Sequence, residues 1–147
     1  MNELPKLQFP PIQLRGRRVE GKAQIWDDLR QMWLVLTPEE WVRQHLVAHL
    51  IHRCGAAPLR LVEEYPVSLN GQAQRADVVV VDDHARPLLL AECKAPEVAI
   101  TRATLDQAVR YNSVLGARYL ILTNGLRHYC YEHLDGQYIP LNAFPTL

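Results

Sequence analysis

Apolar residues follow two rhythms along this chain, and each predicts a kind of element. From Thr37 onward they recur three and four positions apart, as Val42, Leu46, Val47 and Leu50, the spacing of one helical face. Thr37 suits the N-cap, Pro38 the first helical position, and Glu40, three residues past the cap, completes a capping box. The pattern predicts a helix from Thr37 to about Cys54, stopped by Gly55. Further on, Val78-Val79-Val80-Val81 and Leu88-Leu89-Leu90-Ala91 are unbroken apolar runs, as expected of strands covered on both faces. They lie in predicted strands over 74–82 and 87–95, and Asn70-Gly71 turns an earlier strand, 60–69, into the first of them. A second helix fits 101–115 and ends near Gly116.

Beyond it, 118–123 and 127–133 read as strands around an Asn124-Gly125 turn. Upstream, residues 1–11 carry prolines and predict an irregular arm. Residues 12–36 predict short strands whose apolar surface comes from Trp26, Trp33, Leu34, Val35 and Leu36. The expected architecture is α/β: a mixed sheet flanked by helices over 37–147, preceded by a strand-rich N-terminal arm over 1–36.

Composition narrows the class. A chain of 147 residues is one domain's worth, and 48% apolar with 22% charged residues is the balance of a globular protein. No apolar run approaches the roughly 18 residues a membrane span needs. The opening MNELPKLQFPP lacks a basic-then-apolar leader, so a cytoplasmic protein is expected. Cys54, Cys93 and Cys130 form no CxxC pair, which favours reduced thiols. Net charge is zero, from 16 basic and 16 acidic residues, which argues against a protein that coats DNA. It leaves room for an enzyme with an acidic site and a local basic rim, for which Arg15, Arg17, Arg18, Arg102 and Arg110 are candidates; each also fits an ordinary solvated surface. A homodimer is compatible with the extra N-terminal strands.

Chemistry concentrates in RADVVVVDDHARPLLLAECKAP. Asp77 heads one very apolar strand, and Glu92 and Lys94 stand at the end of the next, two residues apart and so on one face. Ionisable groups on doubly covered strands cost several kcal/mol unless paired or bound to a metal. A hairpin of this length brings Asp77 close to Glu92, and two close carboxylates call for a proton or a cation between them. Hard oxygen ligands suit Mg²⁺ or Mn²⁺ better than Zn²⁺. A buried ion pair with Lys94 that serves packing alone is the bland alternative.

Asp77, fourteen intervening residues and then Glu92-Cys93-Lys94 resemble the D…ExK signature of the PD-(D/E)XK nuclease superfamily. TPEEWVRQ, RADVVV, LLLAECKAP, DQAVRYN and YLILTNG together resemble the N-terminal domain of type I restriction enzyme R subunits, over about 37–133. The resemblance implies a restriction-endonuclease-like fold and Mg²⁺-dependent hydrolysis of DNA by direct attack of water on phosphorus. It implies that Asp77 and Glu92 hold the cation, joined by the Cys93 carbonyl, and that Lys94 positions the water. It also implies a motor or helicase partner on another chain. Ala76 stands where the signature has proline, at a position that touches no ligand.

Many members carry a further glutamate on the first helix. Glu39 shares the bearing of Leu46, seven residues on, so it is expected to point inward and join the metal site, steadied by Arg43; Glu40 is left to the capping box. On the second helix Gln107, Arg110 and Tyr111 share a face and resemble the superfamily's QxxxY element. Gln107 is expected beside the metal, with Arg110, Tyr111 and Arg102 toward nucleic acid. His45, His49 and His52 also share a helical face; a zinc site is one reading, a solvated polar face the favoured one. Cys93 reads as a small core residue rather than a nucleophile. The rival to an enzyme is a DNA- or protein-binding module that kept the fold and lost catalysis.

Overall fold

The computed structural model describes residues 4–147; the first three residues of the predicted arm lie outside them. Strands β1 (Gly16–Val19), β2 (Lys22–Asp27) and β3 (Met32–Val35) form a small antiparallel sheet. Helix α1 (Pro38–His52) follows at once. Strands β4 (Leu61–Leu69), β5 (Gln72–Val81), β6 (Pro87–Cys93), β7 (Tyr119–Thr123), β8 (His128–Leu134) and β9 (Gln137–Leu141) make a six-stranded sheet in chain order. Helix α2 (Arg102–Leu115) crosses over between β6 and β7, which is why that pair alone is parallel. The result is an α/β domain with a mixed sheet between helices and a strand-rich N-terminus.

The apolar runs split by period two, as doubly covered strands require. Val78, Val80, Leu89 and Ala91 pack with Val42, Leu46 and Leu50 of α1, while Val79, Leu90, Leu120 and Leu122 pack with Ala108 and Tyr111 of α2. Ala76, at the proline position of the signature, is a fully buried methyl in the α2-side core. β9 was not expected. Its turn signal, Asp135-Gly136 with φ of 49° and 77°, is a hairpin turn that the polar flanks of a short edge strand concealed.

Three local expectations need correction. The capping box is half built: the Glu40 N–H donates to Thr37 Oγ1 at 3.0 Å, but the Glu40 carboxylate turns instead to Arg30, Arg43 and Gln44. The arm is irregular yet docked. Leu7 and Phe9 are buried in the α1-side core, Trp41 Nε1 donates to the Pro5 carbonyl at 2.9 Å, and Leu7 lies where any Cβ on Gly125 (φ 84°) would clash. That docking overturns the solvated histidine face. His45 is 5% exposed and edge-on to Trp41, and half-buried His49 packs against Phe9 and Phe144; of the three, His52 alone is exposed. A helical wheel cannot register a face covered by residues from both ends of the chain.

The small sheet is fastened to the core by buried charge. Arg30, in the β2–β3 turn, donates to Asp27 at 2.8 Å, Glu64 at 3.2 Å and Glu40 at 3.3 Å. Glu63 of β4 is fully enclosed, and neither of its oxygens accepts an aligned hydrogen bond, although Arg30 Nε stands 2.8 Å away. Burial, then the neighbouring Asp27 carboxylate, pushes the Glu63 pKa up to about 8 from an ordinary 4.5. The folded chain therefore holds a proton that the unfolded chain releases, and stability falls as pH rises between those two values. Glu63→Gln is expected to remove that slope. Denaturant midpoints at pH 5 and pH 8 should separate less in the variant than in the native chain, and equal separations would refute the assignment.

Candidate functional site

Antiparallel pairing of β5 with β6 sets Val78 opposite Ala91, so the next rung outward brings Asp77 beside Glu92. The two residues interlock. The Asp77 N–H donates to Glu92 Oε1 at 3.3 Å, and the Cys93 N–H donates to Asp77 Oδ2 at 2.7 Å. The two carboxyls are thus held side by side, and their mutual repulsion in a buried place favours a proton on Glu92. Glu92 is buried and Asp77 half-buried. Burial first, then the Asp77 charge, holds the Glu92 carboxyl well above its ordinary range, and Lys94 pulls in the opposite direction. Lys94 directly follows β6, where its N–H donates to the Thr123 carbonyl at 2.9 Å. Its ammonium acts on Glu39 as well as Glu92.

Glu39 reaches this neighbourhood from the first turn of α1. It is exposed at the mouth of the site rather than turned inward, because the apolar face of α1 begins only at Val42. Burial, then the Asp77 charge, raises its pKa, and Lys94 and Arg43 oppose the rise. Among the described residues, the one cluster of three ligating groups within 4.8 Å is Asp82, Asp83 and His84, so Glu39 does not join Asp77 and Glu92 at that range. Those three residues form an exposed turn in which Asp82 caps the His84 and Arg86 N–H groups. Arg43 does not steady Glu39 by hydrogen bonding; its guanidinium binds Glu40 while its charge faces Asp77.

From α2, Gln107 Nε2 donates to the Tyr111 hydroxyl at 3.3 Å. Tyr111 is buried in the α2-side core, and burial, with the charges of Glu92 and Asp77, raises its pKa. The QxxxY pair thus backs the carboxylates, with the Tyr111 ring inside the core and not on an open surface. Arg110 is exposed, and Arg102 is exposed but paired with Asp106 at 3.1 Å. Cys93 is buried, its thiol held protonated by burial and by Asp77 and Glu92. Cys54, Cys93 and Cys130 are all unpaired. The Asp27–Arg30–Glu63 cluster was missed in the sequence; Asp27 with Arg30 and Glu40 with Arg43 are each three residues apart, but the strand that brings Glu63 between them lies more than thirty residues from Arg30.

The donor set fits a hard divalent cation. Two carboxyls already close enough to share a proton offer oxygen ligands, one of them beside solvent, and a cation can replace that proton. Among the described residues no helix is long and apolar enough to cross a membrane.

An α/β domain with paired carboxylates on two adjacent strands, Asp77 within β5 and Glu92 near the end of β6, is the class that fold and site define. Residues 38–145 match the family described as type I restriction enzyme R protein N terminus (HSDR_N), and the chain belongs to that family. No curated protein matches it. Among solved structures, it is similar to a fragment described as an HsdR subunit of a type I restriction enzyme from Vibrio vulnificus YJ016. The TM-score is 0.59 at 21% identity, over 76% of this chain and 24% of that one. A weaker likeness joins it to the type IIG restriction endonuclease BpuSI, with a TM-score of 0.42 at 20% identity over 74% of this chain and 12% of that one. The chain thus spans about a quarter or less of the structures it resembles.

Proposed function

We propose that this chain is a metal-dependent phosphodiester hydrolase of the PD-(D/E)XK type that cuts DNA, a nuclease module that works with a motor supplied by another chain. The observation that carries the reading is the meeting of Asp77 and Glu92 at a common rung with Lys94 alongside. Mg²⁺ or Mn²⁺ would be held by Asp77, Glu92 and the Cys93 carbonyl, with Glu39 approaching from the mouth. When bound, the ion supplies positive charge against the charge that develops on the phosphate. Lys94 orients the attacking water and lends a second positive charge. Gln107 fixes the Tyr111 hydroxyl behind the carboxylates, and Arg110 and Arg102 offer cations to flanking phosphates. The distance of Glu39 from the other two carboxylates favours one rival, a catalytically weak or inactive binding module.

Incubation with plasmid and with labelled DNA and RNA, in Mg²⁺ and in Mn²⁺, tests the activity directly. Calorimetry tests the site without it. The Glu92 proton has to leave when a cation enters, so Mg²⁺ binding at neutral pH is expected to release about one proton per site. That release reads as a binding heat that depends on the ionisation enthalpy of the buffer. Affinity should rise with pH, since Glu92 gives up its proton more readily there. Absent Mg²⁺ binding would leave the inert module standing.

A further inference from the structure

The outer face of the small N-terminal sheet carries an arrangement that the cleavage site does not use. Arg15 neighbours Trp26 on the sheet, and Trp26 pairs with Trp33 across β2 and β3. The two indoles meet edge-on at 5.5 Å. The Arg17 guanidinium lies 4.2 Å above the Trp33 ring, and that of Arg15 lies 5.5 Å and 5.4 Å from Trp26 and Trp33. Arg17 Nε donates to Gln24 Oε1 at 2.7 Å, which fixes the plane of the fork on an exposed surface. Arg30, Arg43, Arg102 and Arg118 bind carboxylates; Arg15 and Arg17 form no ion pair among the described residues and rest on indole rings instead.

Charge is concentrated here too. Residues 15–24 hold four cations (Arg15, Arg17, Arg18, Lys22) and one anion (Glu20), a net charge of +3 in a chain whose total is zero. A flat guanidinium held on an aromatic ring loses little freedom when it binds, and its donors match phosphate oxygens in pairs. Cations interleaved with half-exposed indoles are the footprint of a nucleic-acid groove rather than of an acidic protein, which offers nothing for the rings to meet.

We propose that this face of β1–β3 docks the phosphate backbone of a nucleic acid, with Arg15 and Arg17 as preformed phosphate forks on a Trp26–Trp33 platform. The inference rests on the nuclease reading for its biological sense and not for its test. The Lys94→Ala protein, which should leave DNA intact, is titrated against a fluorescein-labelled oligonucleotide without divalent ions, over about 50–200 mM salt. Arg15→Gln with Arg17→Gln is expected to weaken binding at least tenfold at low salt. It should also reduce the slope of log K against log salt by about two, one for each lost phosphate contact. Gln24→Ala and Trp33→Leu keep every charge, so they should weaken binding several-fold at an unchanged slope, with thermal melts confirming that both fold. Undiminished binding by the double variant overturns the proposal, as does polyglutamate competing as well as DNA. If native protein binds through these arginines but never cleaves, the nuclease reading fails and this surface stands; cleavage with arginine-independent binding is the reverse.

Discussion

Replacing Lys94 by alanine is expected to reduce DNA cleavage by about 10²–10⁴-fold while Mg²⁺ binding survives. The two outcomes part because Lys94 is no ligand. Its ammonium stands near Glu92 and Glu39, where it lowers the cost of ionising each of them, and the carboxylate pair of Asp77 and Glu92 persists without it. Asp77→Asn should behave differently. It removes one oxygen ligand and also the charge that keeps the Glu92 proton in place, so both cleavage and the proton release on Mg²⁺ binding are lost. Lys94→Arg is not a rescue, because a planar fork cannot stand where a compact ammonium orients a single water. Glu92→Gln should also be inactive, and yet at least as stable as the native chain near neutral pH, since a buried carboxyl forced against Asp77 is a cost carried for function. Full cleavage by Lys94→Ala would sink the role given to Lys94. Loss of Mg²⁺ binding in that same variant would instead make it a structural partner of the carboxylates.

What could be read from the chain and what could not divide along sequence distance. α1 was plain because its signals, Thr37, Pro38 and the Val42–Leu46–Leu50 stripe, lie within its own turns. The Asp77–Glu92 meeting was plain because one short hairpin decides it. Both expectations needed only local periodicity and one register. The burial of His45 and His49 was hidden because Phe9 and Phe144 arrive from opposite ends of the chain. The burial of Glu39 and Glu40 was misjudged for a similar reason. The wheel of α1 placed Glu39 inward, but the β2–β3 turn lays Arg30 over Glu40 and buries it, while Glu39 stays exposed at the mouth. Helical bearing predicts burial only where the neighbour is the sheet.

Arg30→Met, in the half-buried β2–β3 turn, is expected to cost about 3–5 kcal/mol. Among the described residues, Arg30 alone touches Asp27, Glu40, Glu63 and Glu64 together, and Asp27, Glu40 and Glu63 are all buried. Without it, half-buried Arg43 is left to face Glu40 and Glu63. The uncompensated carboxylates must then ionise in a low-dielectric site, take up protons, or let the small sheet come away from α1 and β4. Arg30→Lys should recover little, since one ammonium cannot serve partners spread around a planar fork. The loss should shrink at pH 5, where protonation relieves the carboxylates. Above pH 8, where Glu63 is ionised, it should also be smaller in a Glu63→Gln background, because that pair is in direct contact. Denaturant titration of the four corners of this cycle measures each step. A single variant within about 0.5 kcal/mol of the native chain, the usual range of inert surface changes, would mean that the apolar contacts of Leu7, Phe9 and Leu29 hold the N-terminal region unaided.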